Sequence, residues 1–177
     1  MVSRVIPVDP FDLVIFGGTG DLACRKILPG LFRRFCSGQM SSESKIIGAA
    51  RGVHTAEEFS KIVASAIHEF GSSDAIDESV LAEFLTRLDY VAVDARGDTG
   101  WTELAGKIRK NLVNAFYFSV GPSLFGDLAE RLKRFEMADD ESRIVVEKPF
   151  GRDLATAKAL NASLAKHFDE TQIYRID

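Results

Sequence analysis

An apolar run, Asp12-Leu13-Val14-Ile15-Phe16, passes straight into Gly17-Gly18-Thr19-Gly20-Asp21-Leu22-Ala23, and a helical pattern starts at once. Few folds make strand, glycine turn and helix in so short a space. A tight strand-to-helix turn needs residues that tolerate positive φ and carry no side chain. Bare backbone lets an anion approach the helix N-terminus, where amide hydrogens and the helix dipole favour negative charge. The spacing reads as Gly18-x-Gly20-x-x-Ala23 or as Gly17-x-x-Gly20-x-x-Ala23. Either is a dinucleotide fingerprint when it follows a first strand and opens a helix. Ala23, small and one turn in, permits close helix–sheet packing. No Gly-Lys-Ser/Thr follows, so this is not a P-loop. The bland alternative is a plain tight turn.

The rest of the chain repeats the strand–helix pattern. Helical spacing over Asp21 to about Phe35 is interrupted by Pro29, an expected distortion. Lys45–Ala50 reads as a second strand. Thr55 with Glu58 forms a capping box that opens a helix to about Phe70. Asp77 is a candidate start for a helix to Arg87. Leu88–Val93 is a third strand, Thr99–Ile108 a helix and Ala115–Ser119 a fourth strand. Pro122 suits a helix start, the helix running to about Phe135 before a polar loop, Met137–Ser142. Ile144-Val145-Val146 is a fifth strand. Asp153 caps a helix with a stripe of Leu154, Ala157, Leu160, Leu164 and Phe168, and Ile173–Ile176 is a sixth strand. The expectation is an α/β fold: a doubly wound, mostly parallel six-stranded Rossmann-type sheet with helices on both faces.

At 177 residues the chain is one domain by length. A net charge of -4 lacks the basic footprint of a nucleic-acid binder. No apolar run approaches the roughly 18–20 residues of a membrane span. Residues 1–10 are too polar and too broken by proline for a signal peptide, so a cytoplasmic address is the default. Cys24 and Cys36 fall in the first helical pattern, about 18 Å apart by helical rise. A disulfide needs Cα atoms within about 7 Å, so they are not expected to bridge. His54, His68 and His167 show no ligand spacing, and no metal site is expected.

Two strand ends carry chemistry. NAD binding usually wants an acid after the second strand, on the ribose 2′-hydroxyl. Here the strand ends Ala49-Ala50-Arg51-Gly52. A guanidinium can stack on adenine and fork onto a 2′-phosphate, which points to NADP with Arg51 as reader. The fifth strand ends Glu147-Lys148-Pro149-Phe150-Gly151. Ligands bind outside the carboxyl ends of such strands, so Lys148 is a candidate contact to a reacting centre. Glu147 reads as a salt-bridge partner.

Gly17-Gly18-Thr19-Gly20-Asp21-Leu22-Ala23, Glu147-Lys148-Pro149-Phe150-Gly151 and Gln172-Ile173-Tyr174-Arg175-Ile176-Asp177 occur in this order and spacing. Together they resemble glucose-6-phosphate dehydrogenase over the whole chain. The resemblance implies one NADP-binding Rossmann domain over residues 1–177. It implies oxidation of glucose 6-phosphate to 6-phosphogluconolactone with hydride transfer to NADP, opening the oxidative pentose phosphate pathway. It implies that Lys148 touches sugar phosphate and nicotinamide, and that Pro149 shapes that floor. The Lys148-Pro149 bond is a candidate for cis, since X-Pro is where cis peptides occur. Lys26 matches a substrate lysine. Asp177 matches the carboxylate that orients a catalytic histidine. Gly17 to Leu22, Asp94, Ala95 and Ser119 border the coenzyme.

Two departures stand out. Cys24 replaces a common family lysine, with Lys26 retained. Family sequences continue Arg-Ile-Asp into His-Tyr-Leu-Gly-Lys-Glu, and their second domain carries the catalytic histidine and the dimer contacts. The 177 residues alone are therefore expected to bind coenzyme weakly without turnover. A redox-sensing NADP module without catalysis is the alternative, though it has no use for Lys26, Lys148 and Asp177. A short-chain reductase needs Tyr-x-x-x-Lys. Tyr90 is followed four later by Asp94, Tyr117 by Gly121 and Tyr174 by nothing.

Overall fold

The structure, a computed structural model, describes residues 6–72 and 74–177. The first half of the segment tested for a signal peptide, residues 1–5, lies outside them.

Six strands form one sheet: β1 (Phe11–Phe16), β2 (Lys45–Ala50), β3 (Leu88–Ala92), β4 (Val113–Phe118), β5 (Arg143–Glu147) and β6 (Ile173–Ile176). Their order is β3-β2-β1-β4-β5-β6, and every pairing is parallel. The helices are α1 (Leu28–Cys36), α2 (Ala56–Phe70), α3 (Glu78–Leu85), α4 (Trp101–Lys107), α5 (Phe125–Arg134) and α6 (Leu154–Ala165). None is long and apolar enough to cross a membrane, among the described residues.

Strand side chains alternate between faces, and β1 shows the result. Leu13 and Ile15 enter a core with Ile27, Leu28 and Phe32 before and in α1, Phe59 and Val63 of α2 and Phe84 of α3. Val14 and Phe16 enter a second core with Trp101 and Leu104 of α4, Leu128 and Leu132 of α5, and Leu160 and Leu164 of α6. A sheet buried on both faces needs strands that are apolar throughout, which is why these runs do not alternate with polar residues.

Chain direction away from β1 reverses between β2 and β4, so the carboxyl ends of β1 and β4 form the topological switch point. Gly17 follows β1 there, and Ser119 follows β4.

The structure refines several expectations. The distortion at Pro29 is a π turn over Ala23–Ile27, closed by the Leu28 amide on the Ala23 carbonyl. Pro29 has no N–H to continue an α pattern. The Thr55–Glu58 box is reciprocal, and Asp77 accepts from the Ser79 and Val80 amides. Helix α4 starts at Trp101 rather than Thr99, because Gly100 sits at φ 84°, outside helical space. Pro122 opens a 3₁₀ turn, Pro122–Leu124, before α5. Leu154, expected in the buried stripe, is 71% exposed. It lies in the first turn of α6, before the helix reaches the sheet, while Phe168 beyond the helix end is buried. Met137 and Ser142 of the polar loop are buried too. Cys24 and Cys36 are free.

Candidate functional site

The glycine turn fits its place only with these residues. Gly17 sits at φ 80°, and a Cβ there would lie 2.1 Å from the Ser119 carbonyl oxygen. The Gly17 amide donates to Ala49 O (2.8 Å), and the Gly20 amide to Gly17 O (2.9 Å). Gly18 is buried against Gly48 of β2, where a Cβ would meet the Gly48 Cα at 2.9 Å. Beyond Gly20, the Asp21 and Leu22 amides belong to a first helical turn, where N–H groups lack intrahelical carbonyls. The Asp21 carboxylate is engaged by Arg25 Nε at 2.5 Å. Ala23 is fully buried.

The turn opens onto a cleft of about 600 Å³ across the ends of β1, β2, β3 and β4. Gly17, Thr19, Gly20, Arg51, Asp94 and Ala95 line it, as the sequence suggests. Gly52, Arg96, Gly121 and Ser123 line it as well. Ser119 contributes otherwise. Its amide donates to Phe16 O (3.0 Å), its carbonyl crowds Gly17, and its hydroxyl is buried without a partner among the described residues. Val120 lines the cleft beside it.

Two buried side chains hold the loops that carry the cleft's arginines. The Tyr90 hydroxyl, from β3, donates to Gly52 O at 2.6 Å and lies 3.3 Å from Ala50 O. It thereby fixes the carbonyls on either side of Arg51. Burial pushes the Tyr90 hydroxyl above its ordinary pKa, keeping it a donor. Arg131 of α5 donates from Nε to Gly97 O at 2.7 Å and from Nη2 to Arg96 O. The Asp94 carboxylate accepts from the Arg96 amide at 2.9 Å. Backbone hydrogen bonds from Arg96 and Gly97, then the charges of Arg131 and Arg51, hold Asp94 below its ordinary pKa. No sequence pattern marked Tyr90, Arg96 or Arg131. The weak signal for Arg131 is a single arginine at a core-facing position of an apolar stripe.

At the other end of the edge, the Lys148 ammonium pairs with the Asp177 carboxylate. The Lys148 amide lies 3.3 Å from Ile176 O, and Lys148-Pro149 is cis. Glu147 is not the salt-bridge partner the sequence suggested. Among the described residues it accepts from the Tyr117 hydroxyl, because β4 and β5 are neighbours and place both groups at their carboxyl ends. Burial first, then Glu147, raises the Tyr117 pKa well above its ordinary value. Lys26 is exposed on the π turn. Pro149 lines a separate hollow of about 1020 Å³ between α5 and α6. Gly121 and Ser123 border both spaces.

Residues 14–177 match the family model for the NAD binding domain of glucose-6-phosphate dehydrogenase. The chain is 44% identical over its full length to the glucose-6-phosphate 1-dehydrogenase of Rhizobium meliloti (strain 1021), covering 36% of that protein. It is 42% identical over 96% of its length to the enzyme of the same name from Gluconobacter oxydans (strain 621H), again covering 36% of it. A crystal structure of glucose-6-phosphate 1-dehydrogenase from Mycobacterium avium superposes with a TM-score of 0.87 at 34% identity, over 95% of this chain and 36% of that one. A structure described as glucose-6-phosphate dehydrogenase in complex with its substrate superposes over all of this chain and 38% of that one, with a TM-score of 0.84 at 31% identity. The chain thus spans 36% of the length of these curated relatives.

Proposed function

The chain belongs to the glucose-6-phosphate dehydrogenase family, and from that premise we propose that it is the coenzyme-binding part of an enzyme that oxidises glucose 6-phosphate to 6-phosphogluconolactone, with NADP as hydride acceptor. The observation that carries this reading is the cleft at the switch point, where a glycine turn and Arg51 share one wall-to-wall space.

The chain's own groups divide the work. The glycine turn offers amide hydrogens to the pyrophosphate at a helix N-terminus. Arg51 forks onto the 2′-phosphate and stacks on adenine. Thr19, Asp94 and Ala95 border the adenosine and pyrophosphate, with Gly18 and Ser119 holding the turn beneath. Lys148 and Pro149, at the end of β5 on the same sheet edge, would meet the nicotinamide end of a dinucleotide held in this way. NADP supplies the hydride acceptor. Lys148 supplies positive charge to the sugar phosphate and, with Pro149, forms the floor for the reacting carbon. The Lys148–Asp177 pair supports that arrangement, since the pairing keeps both charged groups at one strand-end edge. Asp177 is the carboxylate that orients the histidine base, and Lys26 is a substrate lysine on the glycine-turn side. A base on the C1 hydroxyl and a C–H aimed at nicotinamide are what such a hydride transfer needs. A sensor that binds NADP without catalysis gives no role to Lys26, Lys148 or Asp177. The reading places the protein in the cytoplasm, in carbohydrate metabolism through the pentose phosphate pathway. It also makes the complete enzyme a homo-oligomer through its second domain, with no nucleic-acid or membrane partner.

A domain exchange tests the proposal. Residues 1–177 replacing the matching segment of a full-length relative are expected to yield an enzyme that reduces NADP with glucose 6-phosphate and not with glucose. The 177 residues by themselves are expected to bind NADP without turnover. An exchanged protein that is folded and binds NADP but leaves glucose 6-phosphate unoxidised would refute the assignment, and Lys148→Ala should reproduce that failure.

A further inference from the structure

The cleft holds a second guanidinium that the dinucleotide reading leaves unused. Arg96 lies on the loop after β3, next to the loop after β2 that carries Arg51, and both residues line the cleft. Both are exposed, and among the described residues neither has an ion-pair partner.

The loop is built to present this side chain. The amide of Arg96 is taken by Asp94 Oδ1 (2.9 Å), and its carbonyl by Arg131 Nη2. The next carbonyl, of Gly97, is taken by Arg131 Nε. Arg131 is itself buried, with Asp98 and Asp127 beside its guanidinium at 3.6 and 3.8 Å. With the backbone fixed on both sides, the free polar group the loop offers the cleft is the Arg96 guanidinium. The Asp94 carboxylate, which accepts from amides of its own loop and feels the charge of Arg51, is the one acidic side chain among the cleft's described lining residues, and against Arg51 and Arg96 it leaves that lining net positive. The neighbouring loop is fixed in the same manner by Tyr90 on the carbonyls flanking Arg51.

Two guanidiniums against one carboxylate give the cleft a net positive lining that suits an anion. The whole chain carries a net charge of -4, so this local excess of positive charge is not a general surface property. The floor between them is small and apolar: Ala49, Ala50, Val93 and Ala95. That combination suits a flat base on the floor and a phosphate dianion at the rim.

The geometry points to Arg96 as a second reader of the adenosine 2′-phosphate, acting with Arg51, and hence as a residue that sets NADP over NAD. It rests on the dinucleotide reading above. Arg131 and Asp94 are its positioning residues. The 2′-phosphate is thereby held between two loops rather than by one.

The test is calorimetric titration of the 177-residue chain with NADP and with NAD, for wild type, Arg51→Ala, Arg96→Ala and Arg96→Lys. Charge-assisted hydrogen bonds to phosphate set the scale: Arg96→Ala should weaken NADP binding about tenfold and leave NAD within about twofold. Arg96→Lys should recover part of the loss, since charge returns without the fork. Thermal unfolding of the variants should match wild type, because the Arg96 side chain is exposed. Equal weakening of both coenzymes would overturn the proposal, by making Arg96 a contact to the shared adenosine diphosphate. So would no change in either. Arg51→Ala separates the underlying reading. If its NADP-to-NAD ratio is unchanged while that of Arg96→Ala falls, the Arg51 assignment and the two-loop grip both fail, and Arg96 is the sole reader of the two. A wild-type chain that binds no NADP overturns both.

Discussion

Gly17→Ala is expected to destabilise the chain by about 2–5 kcal/mol and to remove NADP binding. Two independent costs meet at this residue. At φ 80° an L side chain is strained by itself, and the added Cβ would lie 2.1 Å from the Ser119 carbonyl oxygen. That oxygen belongs to backbone fixed by the Ser119 amide on Phe16 O, so it cannot yield cheaply. Relief requires β1 and β4 to separate at the switch point, which moves the amides of Gly20, Asp21 and Leu22 away from the pyrophosphate. Gly121→Ala is the matched control. It lines the same cleft, its φ is -58°, and a Cβ there meets nothing within 4 Å. Chemical denaturation and NADP titration of the two variants should therefore diverge. Gly17→Ala with wild-type stability and affinity would contradict the packing described for the turn.

The second large effect lies at the opposite end of the same strand. Asp12, at the start of β1, is 1% exposed. It accepts from the Arg109 amide at 2.8 Å and from Arg109 Nε at 3.1 and 3.2 Å, with Arg109 Nη2 closing a fork. The same Nη2 donates to Glu43 O at 2.8 Å, and Asp12 keeps the Arg109 guanidinium above its ordinary pKa. One carboxylate thus ties the start of β1, the turn before β4 and the turn before β2. Removing one partner of such a pair costs about 3–5 kcal/mol, because the other charge is left uncompensated. Asp12→Ala should reach that range in urea unfolding. Arg109 is a third exposed, so Arg109→Met should sit at or below its lower end. The double variant Asp12→Ala with Arg109→Met should be less damaging than the sum of the two, since no buried charge remains. The folded fraction of Asp12→Ala should bind NADP as wild type does, the cleft being at the far end of the strand. A loss of under about 1 kcal/mol would show that the pair is solvated, contrary to the burial of Asp12.

These two residues show what the sequence could and could not disclose. Gly17 was legible, because strand, glycines and helix are contiguous and the chemistry follows from local spacing. The same holds for Arg51, two residues past the Gly48-Ala49 register with β1, and for the Thr55–Glu58 cap. Strand β2 spans Lys45–Ala50 as read, since an apolar run bounded by polar turns leaves little freedom. The sequence marks Asp12 only as the first residue of a strand. Its partner is 97 positions away, and no periodicity joins them. Tyr90 and Gly52 are 38 apart, and Arg131 and Gly97 are 34 apart. Such clamps depend on which strands become neighbours, here β2 with β3, and on which helix lies over which loop. Glu147 illustrates the same limit: its partner Tyr117 is fixed by the β4–β5 register. Arg96 was invisible for a further reason. A solvated arginine and a phosphate reader look alike until the opposite wall is known.

The proposed binding mode lays NADP across the β1–β4 switch point, with its adenosine end at the loops after β2 and β3. Amide NMR of the 177-residue chain titrated with NADP tests it most directly. The expected shifts concentrate at Gly17 to Leu22, Arg51, Gly52 and Asp94 to Arg96, and NAD should reproduce those of the turn with smaller shifts at Arg51 and Arg96, since it keeps the adenine and lacks the 2′-phosphate. Shifts centred instead on Ser163, Lys166 and His167, in the hollow between α5 and α6, would contradict it.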